Sequence, residues 1–192
     1  MADFSLKPTL TGDLVILRPV TEDDVPALAP MLNDPEIGRL TGSHTRFTEA
    51  ALRQWYGTRG EQHDRIDLAV VERATGRVVG EVVLNEWDAP NESCGFRICL
   101  SPDTLGRGLG TEATRLALGH AFGALGLYRV WLEVYAFNPR ARRAYEKAGF
   151  RAEGVLRGAL SWEGERVDAT VMAVLAPEWG VSPGVASGVT PV

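Results

Sequence analysis

The sequence predicts one α+β domain built on a mixed, mostly antiparallel sheet flanked by helices. Three observations carry that expectation. Residues 66–72, a turn at Ala74-Thr75-Gly76 and residues 77–85 read as a hairpin, so the strands there run antiparallel. From residue 94 to residue 175 the order strand, loop, helix, strand, helix, strand, strand follows, which brings helices onto the same sheet. The chain has 192 residues, 45% of them hydrophobic and 23% charged, enough for one globular core that needs neither disulfide nor metal.

Residues 13–20, Asp-Leu-Val-Ile-Leu-Arg-Pro-Val, are β-branched and read as the first strand. Thr21-Glu22-Asp23-Asp24 is a helix-capping pattern with acidic residues in the first turn, followed by Val25, Leu28, Ala29 and Leu32 at helical spacing. A second helix starts at Thr48, with Ala51, Leu52, Trp55 and Tyr56 as its apolar stripe. After the hairpin come a polar loop at Pro90-Asn91 and a strand over 94–100. A glycine-rich loop then leads to a long helix over 109–125, a strand over 128–134, a helix over 138–148, and strands over 150–160 and 166–175. The domain spans residues 1–179. The Gly-, Pro-, Ser- and Val-rich segment 180–192 has no periodicity and reads as a disordered tail.

Charge and cysteine content exclude several function classes. The net charge of −5, with scattered arginines, gives no nucleic-acid footprint and suits a cationic partner. No apolar run spans a bilayer, and the N-terminus lacks a signal-peptide pattern. Cys94 and Cys99 lie five positions apart on one strand, on opposite faces, so they cannot bridge; a reducing cytoplasm is expected. His44, His63 and His120 have no metal-ligand spacing, and His120 reads as a packed residue.

Two segments carry chemistry. In Leu105-Gly106-Arg107-Gly108-Leu109-Gly110-Thr111, three alternate glycines open a helix. Without side chains, the backbone amides and the positive end of the helix can turn to a phosphate or pyrophosphate, with Arg107 adding a charge. Read alone, the same loop is as well explained by a turn entering an ordinary helix. It lacks the lysine of a nucleoside-triphosphate loop, and a hairpin precedes its strand, unlike a dinucleotide fold. Downstream, Asn138 caps a helix that begins with Pro139 and ends at Gly149, and Tyr145 lies two turns after Asn138 on the same face.

Together these segments resemble the GCN5-related N-acetyltransferase (GNAT) superfamily. The first is similar to its pyrophosphate loop, and the second to its Asn-x-x-Ala-x-x-x-Tyr-x-x-x-Gly-Phe segment. Residues 12–19 with the Thr-Glu-Asp-Asp start, and residues 149–157 with Asp168, resemble the RimJ/RimL-like branch of protein N-terminal acetyltransferases. The resemblance covers about Leu14 to Leu175. It implies a GNAT-like domain, acetyl-CoA as donor, no metal, and a primary amine as acceptor. That acceptor would be the N-terminal amine of a protein or peptide, or else an antibiotic or metabolite amine. It further implies that the backbone of Ile98, Cys99 and Leu100 pairs with the pantetheine arm. Leu105, Gly106, Arg107, Gly108, Leu109, Gly110 and Thr111 would form the pyrophosphate cradle, and Asn138 would hold the pantetheine from the other side.

Tyr145 would be the general acid for the departing thiolate, a role that a phenol of pKa about 10 can serve against a thiol of about 8.5. Glu133, five residues before Asn138 and on the strand face of Trp131, would be the base, with Glu86 and Glu92 as reserves. Leu105 stands where the family has Gln or Arg, and Arg107 is expected to compensate. Trp162 and Glu163, with the segments 41–48 and 85–92, are expected near the acceptor. A non-catalytic acyl-CoA-binding module is the alternative from another class, and the protein is expected to be a monomer or homodimer.

Overall fold

The computed structural model describes residues 2–179; the expected tail at 180–192 lies outside the described residues. Strands β1 (Leu10–Thr11) and β2 (Val15–Pro19) lead into a 3-10 turn (Glu22–Asp24), then helices α1 (Val25–Leu32), α2 (Pro35–Thr41) and α3 (Glu49–Gly57). Strands β3 (Ile66–Glu72), β4 (Val78–Asp88) and β5 (Ser93–Leu100) form a meander. Helix α4 (Leu109–Gly123), β6 (Arg129–Tyr135), α5 (Pro139–Ala148), β7 (Arg151–Trp162), β8 (Glu165–Leu175) and the short α6 (Ala176–Trp179) complete the chain. The eight strands make one sheet in the order β1-β2-β3-β4-β5-β6-β8-β7, antiparallel throughout except where β5 meets β6.

Both faces of the sheet are covered, and the strand alternation dictates how. Val82 and Leu84 of β4, Phe96 of β5, and Val130, Leu132 and Val134 of β6 share one core with Leu109, Ala113, Ala117 and Leu118 of α4. Val20, Val25, Leu28, Leu52, Tyr56 and Ala69 form the second core under α1 and α3. Cys94 packs in the first core and Cys99 against the second, on opposite faces as their spacing requires; both are free thiols.

The entry to α1 is fastened electrostatically. Asp24, 4% exposed, accepts from the Thr21 N–H at 2.9 Å and from both Arg18 nitrogens at 2.9 and 2.6 Å. Helix α4 is fastened to β2 by Glu112 in its first turn. Its carboxylate accepts the N–H groups of Asp13, Leu14 and Val15 at 2.7–2.9 Å, satisfying three donors at a strand start. No described helix is long and apolar enough to cross a membrane.

Candidate active site

β5 and β6 are paired in parallel over three registers only: Ser93 with Arg129, Cys94 with Val130 and Gly95 with Trp131. Beyond them β5 keeps only β4, out to Leu100 opposite Gly80, and β6 keeps only β8, out to Tyr135 opposite Ala169. The two strands therefore part and leave a cleft. Its β5 wall, including Ile98, Cys99 and Leu100, presents an unpaired strand edge to which an extended amide chain can add as a further strand. At the apex, a side chain on Gly95 would begin 3.1 Å from Asn85 Oδ1 and 3.7 Å from the Trp131 ring. Ile98 and Leu100 turn to the α4 and α5 side with Phe96, whereas Cys99 turns to the other side, where burial pushes its thiol up to about 12.

The glycine loop lies at the open end of this cleft. Gly106 and Gly108 have φ of +83° and +85°, a region glycine enters without strain, and Gly108 is the N-cap of α4 with no side chain capping it. The first amides of the helix, those of Leu109, Gly110 and Thr111, therefore have no intrahelical acceptor and stand at the positive end of the dipole. A Cβ on Gly110 would meet Leu100 Cδ1 at 3.0 Å. These residues fit a pyrophosphate: bare amides, no side chain in the way, and favourable potential.

Arg107 corrects the expectation attached to it. Its guanidinium is bound to Glu72, which is 2% exposed and also accepts from the Thr75 hydroxyl at 2.7 Å. A buried carboxylate demands a cation, so Arg107 ties the loop to the end of β3 and is not free to make up for Leu105. Leu105 itself is 37% exposed. The cation that the sequence reading missed is Arg140, in the first turn of α5. Its Nη2 lies 3.7 Å from where a Gly106 side chain would begin, and it has no ion pair among the described residues. The third position of Asn138-Pro139-Arg140 was its only signal.

On α5, Asn138 Oδ1 accepts the Ala141 N–H at 3.1 Å, and Gly149 at φ +110° ends the helix. Tyr145 stands edge-on to Phe96 at 6.3 Å between ring centroids and 5.8 Å from Phe150. Burial pushes its phenol above the ordinary value, with the nearby Cys99 thiol adding to the effect, so the hydroxyl stays protonated. No described residue accepts a hydrogen bond from it.

The opposite face of the parted strands carries Trp131, Glu133 and Tyr135 from β6. Glu133 is exposed and makes no hydrogen bond or ion pair among the described residues. A recess of about 220 Å³ is lined by Asp34, Ser43, His44, Arg46 and Trp162, with His44 stacked on Trp162 at 4.8 Å. Gly42, the C-cap of α2 at φ +70°, leaves room for the Tyr135 ring 2.7 Å from where a Cβ would stand, which seats this loop on β6. Trp162 and the 43–46 segment thus come together. Glu163 sits in the hairpin turn outside the recess lining. Glu86 is exposed just past Asn85, and Glu92 lines a separate recess of about 490 Å³ with Trp87 and Leu127, at the end of β5 remote from the glycine loop. Neither reserve carboxylate reaches the recess beside Trp162. His120 is packed on α4, its pKa lowered by burial, and no described cluster of His, Cys, Asp and Glu is arranged to hold a metal.

Comparison with known proteins matches this architecture. The family model "Acetyltransferase (GNAT) domain" matches residues 15–151. A spermidine N(1)-acetyltransferase of Escherichia coli K12 is 28% identical over 86% of this chain and 88% of its own. The [ribosomal protein bS18]-alanine N-acetyltransferase of Salmonella typhimurium is 30% identical over 64% of this chain and 78% of its own. The crystal structure of spermidine N-acetyltransferase from Vibrio cholerae in complex with CoA and spermine superposes with a TM-score of 0.81 at 23% identity, covering 88% of this chain and 99% of that one. With its strands parted beside a bare helix N-terminus and the family model matching most of its length, the chain belongs to the GNAT family of acetyl-CoA-dependent N-acetyltransferases.

Proposed function

We propose that this enzyme acetylates the primary amine of a small aliphatic cation of the polyamine type. The observation that carries the reading is the unlike chemistry of the two sides of the cleft. The α4 and α5 side offers amides, Arg140 and a protonated phenol; the other side of the sheet carries the carboxylates Asp34, Glu81 and Glu133, of which Asp34 lines the narrow recess beside Trp162 together with Arg46, and the exposed Arg97. The spermidine-acetylating relatives, aligned over most of the chain, support the same acceptor class.

Acetyl-CoA, when bound, supplies the thioester to be opened. In this reading the edge of Ile98, Cys99 and Leu100 pairs with the pantetheine amides. Gly106, Gly108, Leu109, Gly110 and Thr111 receive the pyrophosphate with Arg140 beside them, and Asn138 holds the arm from α5. Tyr145 gives its proton to the sulfur as the bond to it breaks. Glu133, exposed on the far side, draws the cationic acceptor to the cleft.

The alanine-acetylating relative favours a second reading, in which the acceptor is a peptide N-terminus. Free-thiol release from acetyl-CoA separates the two when spermidine, an aminoglycoside, free amino acids and alanine-initiated peptides are compared. Spermidine should turn over at least tenfold faster than any peptide, and the reverse order would establish the second reading instead.

A further inference from the structure

Glu81 is a carboxylate that the cofactor site does not use. It lies on β4 directly opposite Cys99 of β5, on the strand face turned away from α4. Its neighbours Val79, Gly80, Val82, Val83 and Leu84 are buried and carry no polar side chain, and Glu81 stands half-buried among them. Its Oε2 accepts the Tyr56 hydroxyl at 2.6 Å, and Tyr56, 3% exposed on α3, is fixed in the second core. Its Oε1 has no hydrogen bond among the described residues and is not sealed off, and no cation pairs with it. Cys99 stands close enough to both Tyr145 and Glu81 for their charges to be felt, so the acid on α5 and this carboxylate flank the same part of β5.

We infer that Glu81, held by Tyr56 across from Cys99, is the proton acceptor for the amine substrate. This rests on the small aliphatic amine acceptor proposed above. An aliphatic ammonium, with a pKa of about 10.4, is almost wholly charged at neutral pH and cannot attack until it loses a proton. The N–H bond breaks and its proton goes to Glu81 Oε1. The freed lone pair forms the N–C bond to the acetyl carbon while the C–S bond breaks. The departing thiolate takes the Tyr145 proton, and the phenolate recovers one from the acylated nitrogen. Glu81 then returns its proton to water, so one proton is released per turnover.

The surroundings suit the task. Burial raises the Glu81 carboxyl, the Tyr56 hydrogen bond and Arg65 pull it back, and Asp67 raises it further; the net direction is upward, toward the pH at which the enzyme works. Cys99, Asp34 and the cations Arg97, two positions from Cys99 on the same face of β5, and Arg46, beside Asp34 on the recess, are the other titratable or charged groups on this side. Glu133, by contrast, is exposed to bulk water without a partner.

The test compares E81Q, Y56F and E133Q with the wild type, using spermidine and an alanine-initiated peptide as acceptors, with acetyl-CoA affinity measured by calorimetry. E81Q keeps the side-chain volume and an oxygen for Tyr56, so acetyl-CoA affinity should be unchanged. Its kcat should fall at least tenfold, and the acid limb of kcat/KM should disappear. Y56F removes a hydrogen bond that lowers the Glu81 pKa, so the acid limb should move to higher pH, an outcome that a merely structural pair does not produce. E133Q should raise KM for spermidine and leave the limb in place. A folded E81Q with wild-type rate and limb, or loss of the limb in E133Q, overturns the assignment. If E81Q does not fold, an unmoved limb in Y56F overturns it. Wild-type enzyme that acetylates neither acceptor overturns the proposed acceptor class, and the assignment with it.

Discussion

Replacing Tyr145 by Phe removes one oxygen from the cleft and leaves everything else in place. The ring keeps its edge-on contacts with Phe96 and Phe150, pairs of a kind worth about 0.5–1.5 kcal/mol each. No protein acceptor loses a hydrogen bond, so stability should change by less than about 0.5 kcal/mol. Acetyl-CoA binding, carried by the loop and the β5 edge, should also hold. The rate should not. A positioned general acid is worth about 10² to 10⁴, equivalent to about 3–5 kcal/mol of barrier, so kcat should drop at least tenfold with little change in KM for acetyl-CoA. Because burial raises the phenol above its ordinary value of about 10, the donor form persists to still higher pH, and Tyr145 should impose no alkaline limb below about pH 10. Steady-state thiol release across pH, with a thermal melt to confirm folding, reads all of this. A folded Y145F enzyme with wild-type kcat, where chemistry limits the rate, would make Tyr145 a packing residue only.

Three other perturbations bear on different parts of the structure. Gly108→Val puts a β-branched residue at φ +85°, costing about 1–2 kcal/mol of stability, and crowds the amides at the start of α4; calorimetry should show acetyl-CoA affinity at least tenfold weaker. Arg140→Ala should weaken acetyl-CoA several-fold with an unchanged melting temperature, whereas Arg107→Ala leaves Glu72 buried without its cation and should lower stability by about 1–3 kcal/mol; equal melts for the two would contradict their division of roles. For Asp24, burial alone would raise the carboxyl, but Arg18 and the Thr21 N–H hold it below the usual range. Its contribution is therefore complete above about pH 4 and is lost as pH falls through the lowered value, so Asp24→Asn should destabilise at pH 7 and matter progressively less in an acid denaturation series.

Much of this was legible in the chain because local rules and the fold agree. The turn at Ala74-Thr75-Gly76, the Thr21 and Asn138 caps and the Gly149 stop bound elements that form where they predict. Helix α2 was missed: Asp34-Pro35 and Gly42 bracket it, but Ile37 is its only buried residue, so no apolar stripe announces it. β1, two residues long, offers no period to read. Trp55 belonged to the apolar stripe of α3 by spacing, yet it is 47% exposed, its ring covered by the Arg59 guanidinium at 3.8 Å. In the site, the backbone features were readable, since glycine spacing and a helix start imply bare amides. Charge partners were not. That Arg107 turns to Glu72 while Arg140 reaches the loop depends on contacts between residues more than thirty positions apart, and no spacing rule encodes them.

The most direct measurement is a crystal structure with CoA bound. The pantetheine should run along β5 as an added strand at Ile98, Cys99 and Leu100, with the pyrophosphate on the amides of Gly108 to Thr111. The sulfur should stand within hydrogen-bond reach, about 3–3.5 Å, of Tyr145 Oη. CoA seated outside the parted strands, or a sulfur that Tyr145 cannot reach, would contradict the assignment of this cleft as the acetyl-transfer site.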